Sequence, residues 1–141
     1  MAESADSSPA TKAAPSGGLF VWGVPLLVLD SITEAIAKGM GCVVVTGSHG
    51  GLSAGRFALQ GQVLMAVFND AGVGLDEAGI AALALMQAQG LAACTVAHTS
   101  ARIGDAQSTL HTGLISHANG QALLRGARPG MLLRDVLLSA P

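Results

Sequence analysis

Residues able to do chemistry follow four apolar runs of the sequence. They are Asp30-Ser31, Thr46 with Ser48-His49, Asn69-Asp70, and His98-Thr99-Ser100 with Arg102. Imidazole exchanges protons near neutral pH, a carboxylate can orient it, and a guanidinium can bind a carboxylate or phosphate. Ser, Thr, Asp and Asn also favour turns and helix caps, which is the structural alternative. Because caps do not require His or Arg, the pattern favours a site for a ligand.

His49 is the first candidate for a catalytic acid/base, because it lies in the glycine-rich stretch Gly47–Gly51. Asp30 or Asp70 could orient its ring. A nucleophile or hydrogen-bond donor could come from one of three serines, Ser31, Ser48 and Ser100. An enzyme requires His49 to face a pocket within hydrogen-bond reach of a carboxylate or hydroxyl, whereas a binding module leaves it unpartnered. A turn histidine without a catalytic role stays open, and His98 is expected to be a hydrogen-bonded structural histidine.

The same loops predict contacts to an anionic substrate. Backbone amides of Gly47, Gly50 and Gly51 can approach an anion where a helix begins. Arg102 could bind a carboxylate or phosphate with its planar fork, or it could form a salt bridge to Asp105. Further substrate contacts are expected from Asn69, Thr99 and Ser100.

Two glycine motifs come near nucleotide-binding patterns and fail. Gly50 to Gly55 resembles the phosphate loop GxxxxGK[ST], but Arg56 replaces Lys and Phe57 replaces the hydroxyl residue that holds magnesium. Gly72-Val73-Gly74 lacks the third glycine of a dinucleotide fingerprint, since Glu77 occupies that position. The four histidines, His49, His98, His111 and His117, show no HxxxH or HExxH spacing. No cofactor and no metal ion is therefore predicted.

The order of two loops resembles that in caspase-like peptidases. Those enzymes place a His-Gly turn after one strand and a small-residue turn after the next, as His49-Gly50 and Asn69–Gly74 do here. Their nucleophilic cysteine would stand near Ala71, where this chain has none. Without that nucleophile, the family's activity is not carried over.

Four runs of consecutive apolar residues predict strands that are covered on both faces, as in parallel sheets. They are Pro25–Leu29, Cys42–Thr46, Val63–Phe68 and Leu91–Ala97, with Leu114–Ser116 as a possible fifth. Helix-length segments separate them, and the clearest is Glu77–Gln89 with Asp76 as its cap. The fold predicted is α/β, a small doubly wound, Rossmann-like and mostly parallel sheet of four to five strands with helices on both faces. In such a sheet the four polar sets share one edge.

Composition limits the class of protein. Residues 1–18 form a polar Ala/Ser/Pro-rich tail that we expect to be disordered, and residues 19–141 form a single domain. The chain is 50% apolar and only 11% charged, which predicts that a second copy covers part of the surface in a homo-oligomer. A net charge of −2 predicts no nucleic-acid partner.

The apolar stretch 19–29 is shorter than the ~20 residues that span a bilayer, so no membrane partner is expected. Cys42 and Cys94 lie inside apolar runs, which predicts buried thiols and a cytoplasmic location.

The sequence therefore predicts a small-molecule enzyme, a hydrolase or lyase acting on an anionic carboxylate or phosphate at the carboxyl edge of the sheet. His49, Ser48, Asp70 and Asp30 are the predicted catalytic residues. A non-catalytic ligand-binding or regulatory module and a homo-oligomeric assembly subunit are the alternatives.

Overall fold

Runs of β-branched and other apolar residues form a six-stranded sheet. The computed structural model describes residues 18–139, so the predicted tail lies outside the described part except for Gly18. The strands are β1 (Leu19–Val21), β2 (Val24–Leu29), β3 (Val43–His49), β4 (Met65–Asn69), β5 (Ala92–Val96) and β6 (Ile115–Ala118). They lie in the sheet in chain order. Strands β2 to β5 are parallel, and β1 and β6 pair antiparallel at the two edges.

The mixed α/β class and the mostly parallel sheet are confirmed, and the finer topology differs. The sheet has six strands rather than four or five. The first strand was not expected, because Leu19–Leu29 is one apolar stretch in the sequence; Trp22 and Gly23, at φ values of 54° and 79°, reverse the chain within it. In a Rossmann sheet the order of the strands reverses at a switch point. Here the parallel strands follow one another in chain order without such a reversal, so a Rossmann-like arrangement is not confirmed.

Residues 18–139 include six α-helices, of which the first four connect successive strands and the last two follow β6. They are α1 (Ala35–Lys38), α2 (Leu52–Gly61), α3 (Ala81–Ala88), α4 (Ala106–Thr112), α5 (Gly120–Leu124) and α6 (Leu133–Leu138), with 3-10 turns at Ile32–Glu34 and Leu75–Ile80. Within residues 18–139, no helix combines the length and the apolar character that crossing a bilayer requires.

Helices cover both faces of the sheet, because successive strand side chains point to opposite sides. Val43 and Val45 pack into one apolar cluster with residues of α5 and α6. Val44 packs into a second cluster with residues of α1, α2 and α3. The predicted buried thiols are confirmed, with Cys94 in the first cluster and Cys42 in the second. Each parallel strand is therefore buried on both faces, which explains its unbroken apolar sequence.

Two local predictions are wrong in ways that affect the site. Strand β3 continues through His49, so Ser48 and His49 end a strand instead of occupying a loop. Asp76 does not cap the long helix, because Asp76 and Glu77 have left-handed backbone angles within a 3-10 turn and α3 begins only at Ala81.

Candidate functional site

All four polar sets lie at one edge of the sheet, where the parallel strands β2 to β5 end. His49 is paired in register with Asn69, and Asn69 is paired with Val96, two residues before His98. Part of this edge is covered. After β5, the segment 97–105 runs back across the edge of the sheet to reach α4.

Asp30 and Asn69 hold this crossing segment in place. Oδ1 of Asp30 accepts a hydrogen bond of 3.0 Å from the Ala106 amide at the start of α4. Nδ2 of Asn69 donates to the Ala101 carbonyl at 3.0 Å. Both side chains were predicted to serve chemistry or substrate binding, and their described hydrogen bonds serve the fold.

The glycines predicted to bind an anion also have structural contacts. The amide of Gly47 donates to the Asp30 carbonyl at 3.1 Å, and the amide of Gly50 donates to the Asn69 carbonyl at 3.0 Å. A Cβ on Gly47 would lie only 2.3 Å from the Asp105 nitrogen, so the crossing segment requires glycine there. Gly51 precedes α2 without a side-chain cap and lies beside the ring of His49.

The candidate serines stabilise turns. Oγ of Ser48 accepts from the Ile32 amide at 3.0 Å, and Oγ of Ser31 accepts from the Thr33 amide at 3.3 Å. Oγ of Ser100 donates to the Ala97 carbonyl at 2.7 Å and accepts from the Leu114 amide at 2.9 Å. Across residues 18–139, none of these hydroxyls is hydrogen-bonded to an imidazole, so no serine nucleophile with a histidine base is assembled.

Asp70 and His98 form the acid–base pair of the edge. Oδ1 of Asp70 accepts from the amides of Gly72 at 2.8 Å and His98 at 3.0 Å. The same oxygen lies 3.4 Å from Nδ1 of the His98 ring. The side chain of Asp70 is 7% exposed and that of His98 is 56% exposed. A buried carboxylate thus contacts an imidazole that is open to solvent.

The pKa of the Asp70 carboxyl is lowered from its ordinary value of 3.8. Burial alone would raise this pKa. The Gly72 amide, the Ser116 hydroxyl and the His98 amide, together with the charge of His98, favour the charged carboxylate and outweigh burial. Asp70 is therefore a carboxylate at neutral pH and can orient an imidazole.

His49 lies in the wall of a different cavity. A groove of about 560 Å³ runs between the start of α2 and the segment 71–81, and His49, Ala71 and Val73 line it. Within the described residues the His49 ring has no hydrogen-bond partner. His49 and Ala71 are the positions that the peptidase resemblance compares with the histidine and the nucleophilic cysteine. Both line this groove, and none of the described residues that line it is a cysteine.

Strained backbone forms the other wall of this groove. Ala71, Val73, Asp76 and Glu77 have φ values of 52°, 68°, 54° and 58°, a region that L-residues seldom occupy. The Val73 amide donates to the Asp70 carbonyl at 2.6 Å, and the Gly79 amide donates to the Val73 carbonyl at 2.7 Å. Because such strain costs on the order of 1–3 kcal/mol per residue, it persists only where surrounding contacts impose it.

Arg102 and Thr99 remain accessible. The Arg102 side chain is 81% exposed, and its Nη1 lies 3.9 Å from Oδ2 of Asp105. This is the predicted structural alternative, and a pair this exposed contributes little to stability. Thr99 is exposed at the start of the crossing segment.

No family model, curated protein or solved structure matches this chain. Within residues 18–139, no group of three or more His, Cys, Asp or Glu side chains is placed to hold a metal ion.

Asp30 and Asp70 were both left open as partners of His49, and the structure brings Asp70 to His98 instead. His98 was expected to have a structural role. The available signal was the order of the strands, since Asp70 and His98 follow two strands that are adjacent in sequence, β4 and β5. Adjacent strands in the chain are usually neighbours in the sheet.

Proposed function

We propose that this protein is a small-molecule enzyme, a hydrolase or lyase acting on an anionic substrate at the carboxyl edge of the sheet. His98 is the acid/base and Asp70 is the carboxylate that orients it. One observation carries the proposal, the 3.4 Å approach of the half-exposed His98 ring to the buried Asp70 carboxylate. A histidine held by a buried carboxylate is a common arrangement for proton transfer in enzymes.

The geometry assigns different tasks to the two ring nitrogens of His98. Nδ1 faces Asp70, which favours the tautomer with the proton on Nδ1. Nε2 is then the nitrogen that exchanges a proton with substrate. Gly72 lies against the ring, since a Cβ there would be 3.5 Å from Cε1, so the ring rests on backbone.

The neighbouring groove supplies the place for substrate. The His49 ring there has no hydrogen-bond partner among residues 18–139, and the uncapped start of α2 favours a negative charge. Arg102 adds an exposed guanidinium on the crossing segment. These groups support a carboxylate or phosphate as the recognised part of the substrate.

A ligand screen followed by turnover assays tests this proposal. Small carboxylic and phosphorylated metabolites are screened by thermal shift, where a ligand at 100 times its dissociation constant stabilises by ~2.7 kcal/mol. His98→Gln should keep the shift produced by a hit and lower its turnover by about 10²–10⁴-fold, the usual contribution of an acid/base. His111→Gln is the matched control, because His111 is an exposed residue of α4 that pairs with Gln107. Full turnover in His98→Gln would exclude this mechanism.

A non-catalytic ligand-binding module is the second candidate, favoured by the ring of His49 in the groove, which has no hydrogen-bond partner within the described part of the chain. In that case a hit binds without being converted, and His49→Ala abolishes its thermal shift. Under the enzyme proposal, Arg102→Ala weakens the shift and His98→Gln stops conversion.

We also propose that the protein is a cytoplasmic homo-oligomer. Leu75, Leu124 and Leu138 are 86%, 78% and 83% exposed, which is costly for leucines facing water. Free thiols at Cys42 and Cys94 are compatible with a reducing compartment. Light scattering should give a mass above the 14.0 kDa of one chain, and a monomer mass would refute the oligomer.

A further inference from the structure

Asn69 joins the two loops that carry Asp70 and His98. It is the last residue of β4, and it is fully buried. Its Oδ1 accepts a hydrogen bond of 2.8 Å from the amide of Ala71, the residue directly after Asp70. Its Nδ2 donates at 3.0 Å to the carbonyl of Ala101, three residues after His98. One side-chain amide therefore links the Asp70 loop to the crossing segment.

These two partners restrict the residue type at position 69. A main-chain N–H can only donate and a carbonyl can only accept, so the side chain between Ala71 and Ala101 needs both an acceptor and a donor. The carboxamide of asparagine has both. An ionised aspartate of the same size only accepts, and a leucine has neither group. Asparagine is therefore matched to the two loops at once.

The His98 ring depends on the main chain for its placement, because its side chain is 56% exposed. On one side, Oγ of Ser100 accepts from the Leu114 amide at 2.9 Å and attaches this turn to the chain before β6. On the other side, the turn is held by the Asn69 side chain and by the bond from the His98 amide to Asp70. Without the bond from Asn69, the turn stays attached to Leu114 and can move away from Asp70.

We propose that Asn69 is a positioning residue that keeps Nδ1 of His98 at 3.4 Å from the Asp70 carboxylate. The same side chain holds Ala71 at its φ of 52°, so it fixes both the loop of the carboxylate and the turn of the imidazole. The inference rests on the proposed roles of Asp70 and His98 in proton transfer. It adds to them a buried residue that acts through the two loops.

Nuclear magnetic resonance of the full chain tests this role without requiring a substrate. The ring nitrogens of His98 report its tautomer, and the carboxyl carbon of Asp70 reports its pKa. Asn69→Ser can keep the bond to the Ala71 amide, as serine does in turns, but its hydroxyl is too short to reach Ala101. In this variant we expect the population of the His98 tautomer with the proton on Nδ1 to fall. We also expect the pKa of Asp70 to rise, because the amide and the charge of His98 move away from it.

Asn119 provides the matched control, because it is a buried asparagine at the opposite end of β5. Its Oδ1 accepts from the Ala93 amide at 3.1 Å, and its Nδ2 donates to the Leu91 carbonyl at 2.9 Å. Asn119→Ser should reduce stability in urea, as Asn69→Ser does, and leave both signals at their wild-type values. Asn69→Leu removes both bonds of Asn69 and should change both signals further. If Asn69→Leu does not fold, Asn69→Ser still decides the test.

Wild-type values for both the Asp70 pKa and the His98 tautomer in folded Asn69→Ser would overturn the positioning role. Equal changes in Asn119→Ser would overturn it too, because they would show a general loosening of the sheet. Failure of the proposed function is a separate outcome, since it would be seen as full turnover in His98→Gln. The magnetic resonance signals do not depend on turnover.

Discussion

Asp70 combines a buried side chain with donors from two main-chain amides and an imidazole neighbour. Its bond to the Gly72 amide is an Asx turn of the kind that many loop aspartates form. An Asx turn does not require the 3.4 Å contact between the Asp70 carboxylate and the His98 ring. Since a carboxylate held by several donors favours its charged form, Asp70 couples the local fold to the proton state of the site.

Replacing Asp70 by Asn should reduce stability by about 1–3 kcal/mol at neutral pH, the usual effect of losing charge-assisted hydrogen bonds. The pKa of Asp70 is lower in the folded state than its ordinary 3.8, so its contribution is complete above that value. It disappears as the pH falls through the folded-state pKa.

Urea unfolding across the acidic range measures this effect. The difference between wild type and Asp70→Asn should narrow as the pH falls below 3.8. A difference that does not change with pH would show that Asp70 contributes only neutral hydrogen bonds.

At the level of elements, the segment 97–105 determines which part of the sheet edge stays open. It crosses from β5 to α4 and meets β3 where the Gly104 amide donates to the Gly47 carbonyl at 2.7 Å. This crossing occupies the side of the edge near Asp30. The groove beside His49 therefore stays accessible, together with the exposed ring of His98.

Gly47→Ala should displace the crossing segment and destabilise the protein by about 1–3 kcal/mol, as overpacking usually does. Its Cβ would lie 2.3 Å from a backbone nitrogen, which cannot move independently. Gly120→Ala is the control, because its Cβ meets only the flexible Gln87 side chain at 3.3 Å. Thermal denaturation compares the two variants, and equal stability would refute the close contact at Gly47.

A substitution in the strained wall of the groove should increase the stability of the protein instead of reducing it. Ala71→Gly should stabilise the protein by about 1 kcal/mol, because Ala71 has a φ of 52° that glycine adopts without steric cost. Ala84→Gly, at an exposed position in α3, should destabilise it by about 1 kcal/mol. Chemical denaturation distinguishes the two, and a loss of stability in both variants would contradict the strain.

At the level of the whole molecule, two apolar layers enclose one sheet. Val43 and Val45 belong to one layer and Val44 to the other, so neither layer can form without the central strands. Global unfolding should therefore expose both layers together. Cys94 reports on this event, because it is fully buried in β5.

Cys94 should react with a thiol reagent only when the molecule unfolds. Burial raises the pKa of its thiol to about 12, so almost none of it is thiolate at neutral pH. Labelling rates are measured with increasing denaturant and should follow the unfolding equilibrium. Labelling of Cys94 in the native protein at the rate of a free thiol would contradict a single cooperative core.

The sequence predicted the elements well and their long-range contacts poorly. The Asn119 side chain accepts from the Ala122 amide at 2.9 Å in the cap of α5, as an Asn directly before a helix usually does. Such bonds join residues close in the chain, so local patterns reveal them. Contacts such as that of Asp30 with Ala106 join residues far apart, and no local pattern indicates them.

By itself, the sequence determined that apolar runs form buried parallel strands and that polar residues gather where those strands end. A strand covered on both faces needs apolar residues along its whole length, so polar residues lie beyond its ends. This holds whichever route the connecting segments take. Only the tertiary structure decided that Asp70 contacts His98 and that Asp30 anchors α4. These pairings depend on strand order and on the route of one crossing segment, which many residues fix together.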